Sequence, residues 1–499
     1  MPKNIYLDNN GGNFIATLAE DGKLLEYYME KNSNPNIVGN IYKGKVITVL
    51  GGMQAAFVNV GLKKNAYLSV GELAPDGADL KEGDEIPSVL DIKEGDEILV
   101  QVVKDYIGNK GVKCSPYLSF AGVYLVYMPC FHIASVSRRI TDEAARERLG
   151  KWARELVDIY DGSFIVRTAG EKIGKREIKK EAESLRQKYL EVMKEAENAD
   201  APALCYESGD LITRMLRDVY SDDVKNIFFG SRELYEIMLA RKGKRNDEYV
   251  RKSVLFDKNT DMFAYFGLDE EVDKLLRNRV SLDNGAYLII DKTEALTVID
   301  VNTGKYTGEN NLEDTVFTTN VFAAKEIARQ VRLRNIGGIV VVDFIDMSEQ
   351  THRDKVVEVL AEALKDDRSK CNVLGMSALG LVEFTRKKKR EECTSMLEQV
   401  CPYCKGDGKV FSDDYIVLKI RTALLDIFAK GYSAAVIDVN EQIAGYIFAS
   451  GALSSDVKKI WTNKRIYIVP HKTYHIEFFR IRGDNSKVLE LPDRAKLLF

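Results

Sequence analysis

The chain has no run approaching the ~20 consecutive apolar residues that a membrane-spanning helix requires. Its start, Met1-Pro-Lys-Asn-Ile-Tyr-Leu-Asp8, lacks the apolar core of a secretory leader. A cytoplasmic protein is expected. Proline is scarce, at 10 residues, and no Ser-, Gln- or Pro-rich tract occurs, which argues against a long disordered tail. Positive charge is not in excess: 72 Lys and Arg face 76 Asp and Glu, a net of -4. That excludes a simple basic nucleic-acid coat, so any nucleic-acid site has to be a local basic surface on a mildly acidic body. Histidines number four, with no Ser-His pairing to suggest nucleophilic catalysis. The seven cysteines are odd in number and mostly scattered, which fits a reducing compartment and not a disulfide framework.

What is present is ordinary globular material, 45% hydrophobic and 30% charged over 499 residues. That length exceeds one ordinary core, so several domains are expected. Residues 3 to 30 read as paired strands broken at Gly11-Gly12. From Gly39 to about Ser119 short Val/Ile runs alternate with glycine turns, an all-β pattern. Residues 81–86 and 93–98 repeat Lys-Glu-Gly-Asp-Glu-Ile, too few copies for a repeat architecture. Ile173 to Glu197 has helical spacing rich in Lys and Glu. Residues 201 to 280 alternate short strands and helices. From 285 to 385 the pattern is α/β: strands at Tyr287-Leu-Ile-Ile-Asp and Leu296-Thr-Val-Ile-Asp-Val, a helix from Glu313 to Arg334, a buried strand Ile339-Val-Val-Val-Asp, and a helix from Thr351 to Asp366. The final 85 or so residues mix helix and strand.

Two apolar strands end in acids. Thr297-Val-Ile-Asp300-Val-Asn302 places Asp300 and Asn302 on one face, because side chains alternate along a strand. Ile339-Val-Val-Val-Asp343 delivers a second carboxylate, and an ionised acid ending a buried strand is costly unless paired or metal-bound. Two carboxylates and an amide oxygen suit Mg²⁺, which can activate water beside a phosphodiester. Helix or turn capping is the competing role, and Asp346 fits that structural role better.

Cys401-Pro-Tyr-Cys404-Lys-Gly406-Asp-Gly408 fits half of a zinc site. The same tetrapeptide serves redox chemistry where the second cysteine enters a helix, which Gly406 and Gly408 disfavour. No second Cys-x-x-Cys exists in the chain, so a second copy of Cys401 and Cys404 is the simplest way to four ligands. Tyr42-Lys43, Phe57, Tyr67, Lys104 and Lys110 lie in the all-β segment. There they would stack bases and neutralise phosphates, or Phe57 and Tyr67 would be core. Phe164-Ile-Val-Arg167-Thr168-Ala-Gly170 and the run Arg386 to Arg390 are further phosphate-facing candidates.

Together and in this order, these segments resemble the RNase E/G family. Gly39-Asn-Ile-Tyr-Lys-Gly-Lys with Ala55-Ala-Phe-Val-Asn-Val-Gly is similar to its S1-type barrel. Phe164 to Gly170 is similar to its 5′-sensor. Thr293 to Lys305 with Glu326 to Met347 is similar to its catalytic signature, and Cys-Pro-x-Cys-x-Gly-x-Gly follows in place. The motifs cover residues 1 to about 412. The resemblance implies a multidomain α/β and β protein. Residues 1–36 and 213–280 would form an RNase H-like domain, 37–119 an S1-type OB barrel and 120–212 a 5′-sensor region. Residues 281–400 would be a DNase I-like catalytic domain, 401–412 a zinc link and 413–499 a small dimerisation domain.

It implies a Mg²⁺-dependent endoribonuclease cutting single-stranded A/U-rich RNA, favouring 5′-monophosphates, in ribosomal and transfer RNA processing and mRNA decay. A non-catalytic RNA-binding or ribosome-assembly factor is the alternative. Asp300 and Asp343 would hold Mg²⁺, with Asn302 orienting a ligand or the scissile phosphate. Arg167, Thr168 and the Val126 backbone would grip the 5′-phosphate. Lys370 would stand where the family has an arginine, a weaker grip because lysine lacks the bidentate fork. Phe57, Tyr67, Lys43, Lys104 and Lys110 would hold RNA, and Cys401 and Cys404 would share Zn²⁺ across a homodimer that can pair into a tetramer. The family's degradosome scaffold would be absent from a chain ending at Phe499, as in a G-like or short E-like form.

Overall fold

The computed structural model describes residues 2–31, 36–53, 55–69, 92–105, 111–241, 244–304, 312–388 and 392–498. The chain divides into two compact units, Met1–Leu397 and Glu398–Phe499.

In the first unit, β1 (Lys3–Asn10), β2 (Asn13–Glu20) and β3 (Lys23–Lys31) form an antiparallel meander. β1 is also parallel to β14 (Val224–Phe229), and β14 to β15 (Ser253–Leu255), giving the order β15-β14-β1-β2-β3. One sheet is thus built from two segments about 200 residues apart, with the intervening chain inserted between them.

The first part of that insertion is a barrel. β4 (Ile41–Leu50), β5 (Ala55–Asn59), β6 (Ala66–Ser69), β8 (Lys113–Ser115) and β7 (Glu97–Lys104) pair in turn, and β7 returns to β4. Closure removes the exposed edges a five-stranded sheet would otherwise carry. Val46, Ala56, Val58, Leu68, Val100, Val102 and Cys114 fill its core, and burial pushes the Cys114 thiol up to about 12. The second part is a small sheet, β11-β12-β10-β9 (Ala134–Val136, Ser163–Val166, Leu125–Met128, Phe120–Ala121). The helices Glu143–Tyr160 and Lys175–Asn198 pack on it through Leu149, Ala153, Ile178 and Leu185. β13 (Ala203–Tyr206) then pairs back onto β4.

The remaining sheet of this unit has the order β16-β17-β18-β19-β21-β20 (Arg279–Ser281, Tyr287–Lys292, Leu296–Asn302, Gly338–Asp343, Leu381–Arg386, Cys371–Met376). The helices Leu312–Leu333 and Gln350–Lys365 join β18 to β19 and β19 to β20. Their apolar stripes, including Ile327, Val331, Val356 and Leu360, meet Ile299, Val340, Val342 and Phe384 in one core. The opposite face has no such cover: Ile339 is 49% exposed and Val298 36%. The expectation of a buried strand is therefore corrected: among the described residues helices cover one face of it and leave the other open.

The second unit is a sheet β24-β22-β23-β25 (Phe479–Asp484, Ala434–Asn440, Arg465–His471, Lys496–Leu497). The helices Asp413–Ala429 and Glu441–Ser450 pack on it through Ile420, Leu424, Ile443 and Ile447. No helix among the described residues is long and apolar enough to cross a membrane.

Candidate active site and nucleic-acid surface

β18 and β19 run parallel with Asp300 directly opposite Asp343 in register. Each acid follows an alternating strand whose even-numbered apolar neighbours, Val340 and Val342, or odd-numbered Ile299 and Val301, point into the helical layer. Alternation puts both carboxylates on the uncovered face, where both are exposed. The premise that burial alone demands a partner for them is thus replaced by a geometric one: two like charges sit side by side at the sheet surface. Asn302, two residues on, donates from Nδ2 to Asp300 Oδ2 at 2.7 Å. Among the described residues neither carboxylate has an ion-pair partner, and no cluster of three or more His, Cys, Asp or Glu side chains forms. Asp346 is exposed in the following segment and is not part of this strand pairing.

Glu313 fixes that segment from the adjoining helix. Its carboxylate accepts from Ser348 N at 3.1 Å and Glu349 N at 3.3 Å and meets His352 Nδ1 at 3.0 Å. These bonds, the Ser348 N–H first, hold it down to about 2.

On the barrel, register aligns what spacing alone kept apart. Phe57 pairs with Tyr67, Tyr67 with Lys113, and Lys113 with Lys104. One lateral row across four strands therefore carries two rings and two ammonium groups. Phe57 and Tyr67 are half-buried and meet edge to face at 5.9 Å, while their neighbours Ala56, Val58, Ala66 and Leu68 fill the core. The rings stand on the outside of the barrel. Lys113 escapes sequence reading, since lateral register leaves no mark in the sequence. Lys43 is engaged within the fold: Nζ donates to Ala199 O at 2.9 Å and pairs with Glu97 at 3.1 Å. Lys110 lies outside the described residues.

Arg167 ends β12. Its Nη2 donates to Asp218 Oδ1 at 2.6 Å, and Nη1 donates to Gly122 O. Asp218 also accepts from Arg217. Burial works to raise the Asp218 pKa, but the two arginines outweigh it and bring the carboxyl down to about 2. Thr168 Oγ1 lies 3.3 Å from Ser137 Oγ. Val126 pairs with Ile165 and Ala121. Beneath this loop Glu181 accepts the N–H groups of Val123, Tyr124 and Leu125 at 2.7–2.8 Å. Burial nonetheless raises its pKa. Lys370 directly precedes β20, where it lines a cavity of about 550 Å³ with Ile339, Asn372, Thr385 and Lys387. No hydrogen bond or ion pair joins it to Arg167 or Thr168 among the described residues.

The basic run at 386–390 requires a correction at its first residue. Arg386 is buried, with Nε on Asp367 Oδ2 at 2.8 Å. Its Nη1 donates to Asn335 Oδ1 and Ile336 O, both at 2.9 Å. It holds the fold and faces no phosphate. Lys389 and Arg390 lie outside the described residues.

In the second unit, Cys401 is exposed and Cys404 half-buried. A turn follows Cys404, with Lys405, Gly406 and Gly408 at positive φ of 54°, 99° and 67°. Glycine relieves the strain of such backbone at two of the three positions. Gly408 N donates to Cys404 Sγ at 3.3 Å. The Cys401 thiol is shifted down, first by the Cys404 N–H and then by that of Tyr403. Backbone donors aimed at sulfur favour thiolates, and a turn here leaves no helix for the redox arrangement.

A family model described as the Ribonuclease E/G family matches residues 119–389. Ribonuclease G of Escherichia coli K12 is 40% identical over 468 residues, 93% of this chain and 96% of the relative. Ribonuclease G of Haemophilus influenzae is 34% identical over 93% of this chain and 96% of the relative. Ribonuclease E of the same organism is 32% identical over 95% of this chain and 51% of its own length. These alignments extend beyond the 412 or so residues that carry the motifs.

Proposed function

The chain belongs to the ribonuclease E/G family and is an endoribonuclease, and we propose that it hydrolyses single-stranded RNA at Asp300 and Asp343 with Mg²⁺. The observation that carries this reading is the register pair of uncompensated carboxylates on the open face, with Asn302 bonded to one of them. An all-oxygen donor set of that kind fits a hard divalent ion that keeps several of its waters. When bound, Mg²⁺ supplies a deprotonated water and relieves the charge that builds on the phosphodiester. Asp300 and Asp343 are the residues that hold it. Asn302 fixes the rotamer of Asp300 through its bond to Oδ2.

The row of Phe57, Tyr67, Lys113 and Lys104 is the surface on which single-stranded RNA lies, with Lys110 as its further cation. Arg167, Thr168 and the Val126 backbone read a 5′-monophosphate. In that role Asp218 and Gly122 O hold the Arg167 guanidinium in one orientation. Lys370 adds a charge without a fork. Residues 1–36 with 213–280 act as an RNase H-like support, 37–119 as an S1-type barrel, 120–212 as the sensor region and 281–400 as a DNase I-like catalytic domain. Cys401 and Cys404 share Zn²⁺ with the same residues of a second copy in the cytoplasm. RNA maturation and mRNA decay are the processes such an enzyme serves.

Metal-activated water leaves a 5′-phosphate and a 3′-hydroxyl. End-group mapping of a cleaved oligonucleotide should find those ends, and a 2′,3′-cyclic phosphate would rule the mechanism out. Tyr67→Ala should weaken binding of a single strand by about 1–3 kcal/mol, the value of one stacked base. Fluorescence anisotropy in EDTA measures this, and unchanged binding would return Tyr67 to a packing role. Cys404→Ser should shift the mass in solution toward smaller species, read by light scattering. An unaltered oligomer would refute the shared zinc.

A further inference from the structure

Charge is distributed unevenly along the chain. Residues 457–499 hold ten Lys and Arg against four Asp and Glu, while the whole chain is net -4. The sheet of the second unit gathers part of this excess at one edge. β24 is an edge strand, and Arg480 and Arg482 stand two residues apart on it, about 6.7 Å along the strand. That distance is comparable to the spacing of neighbouring phosphates on an extended single strand.

Two guanidinium groups so placed repel each other unless something holds them. Asp438 does. It is buried at 4% exposure and lies opposite Arg480 in register. Its Oδ2 sits 3.6 Å from Arg480 and 3.5 Å from Arg482 and has no hydrogen-bond partner. The carboxylate thus compensates charge without taking a donor. The two side chains are 59% and 51% exposed. Among the described residues neither donates a hydrogen bond, so their forks face outward. The other oxygen of Asp438 meets His471 Nε2 at 2.9 Å. Arg494 Nη2 lies 3.1 Å from His471 Nδ1. The two ring nitrogens of His471 thus bridge Asp438 and Arg494. One carboxylate therefore stands against two guanidinium groups.

A chain of aromatic rings leads from the end of β23 to the start of this edge strand. His471 stacks on Tyr474 at 4.0 Å and 5°, and Tyr474 meets Phe478 edge to face at 4.9 Å. Phe478 is 49% exposed. Outward arginine forks beside an exposed ring are what sequence-tolerant binding of a single strand uses: phosphates to the cations, bases to the ring.

We propose that the edge formed by Phe478, Arg480 and Arg482 is a second single-stranded RNA site, built from residues other than those of the barrel row and the carboxylate pair. It goes beyond the cleavage reading, which it uses only to choose RNA as the probe. The test uses the full chain in EDTA, where cutting is off, and a fluorescent 20-nucleotide single strand. Arg480→Gln with Arg482→Gln should weaken binding about tenfold and reduce the slope of log affinity against log salt by about 1.4, at ~0.7 for each phosphate no longer neutralised on a single strand. Phe478→Ser, at an exposed position, should reduce quenching of a 2-aminopurine base in the same strand below the wild-type level and preserve the melting transition. This second variant decides the matter if the double variant fails to fold. Unchanged affinity, slope and quenching overturn the proposal. A reduced slope in the double variant with quenching intact in Phe478→Ser makes the edge a general polyanion attractor and overturns the base-stacking site. A shift in oligomer mass in the double variant makes the edge a contact between copies and also overturns it.

Discussion

Asp343→Asn should leave an enzyme that binds single-stranded RNA and does not cut it. The substitution keeps shape and one oxygen donor but removes a charge from the pair. Asp300 and Asp343 are adjacent across parallel strands and exposed. No lysine or arginine pairs with either among the described residues, so the pair has unspent affinity for a cation. The substitution halves its charge. Metal activation of water and neutralisation of the transition state contribute several kcal/mol, so kcat should fall on the order of 10³-fold or more. Binding in EDTA should be nearly unchanged, because the barrel row lies on other strands. Asn302→Ala should be milder, since it frees the Asp300 rotamer without removing charge. Wild-type cleavage by Asp343→Asn would discard the assignment and place the cleavage chemistry on other residues of the chain. Equal loss of binding and cleavage would mean that the aspartate holds the surface together.

The aspartate pair was legible in the sequence, but for a partly mistaken reason. Ile339 to Val342 is an unbroken apolar run, and such runs mark strands covered on both faces. Here one face is open, with Ile339 49% exposed. The acids are therefore conspicuous because they are adjacent and uncompensated, and not because they are buried. Adjacency is a matter of register, which sequence reading does not reach. The same blindness hid Lys113, which becomes informative only when β8 is laid beside β6 and β7. Composition misled at Arg386, the first of a basic run, which the fold turns inward onto Asp367. It was silent at Asp438, whose Val-Ile-Asp-Val-Asn setting at 436–440 repeats that of Asp300 at 298–302. The two acids differ in neighbours: Asp300 has an amide beside it, Asp438 two arginines and a histidine. Elements with strong period were readable. The expected helices from Glu313 and Thr351 lie at Leu312–Leu333 and Gln350–Lys365.

Asp367→Ala should destabilise the first unit more than any of the active-site or barrel substitutions above. The side chains of Asp367 and Arg386 are 3% and 4% exposed. The guanidinium donates inward only: to Asp367 at 2.8 and 3.2 Å, and to Asn335 Oδ1 and Ile336 O at 2.9 Å. Asp367 Oδ1 also accepts from Ser369 N at 2.7 Å. Removing the acid strands a buried cation, which costs about 3–5 kcal/mol. A pair that is merely absent costs far less, since apolar groups of similar volume can replace both partners. Asp367→Leu with Arg386→Met should therefore recover most of the stability. The consequence reaches the active site, because Arg386 ends β21 and β21 pairs with β19 through Asp343. Urea unfolding followed by near-ultraviolet dichroism would show Asp367→Ala moving the first unit's transition to lower denaturant, with the double variant near wild type. If the double variant were as unstable as the single one, the pair's hydrogen bonds to Asn335 and Ile336, and not its charge balance, would be what holds β21 against β19.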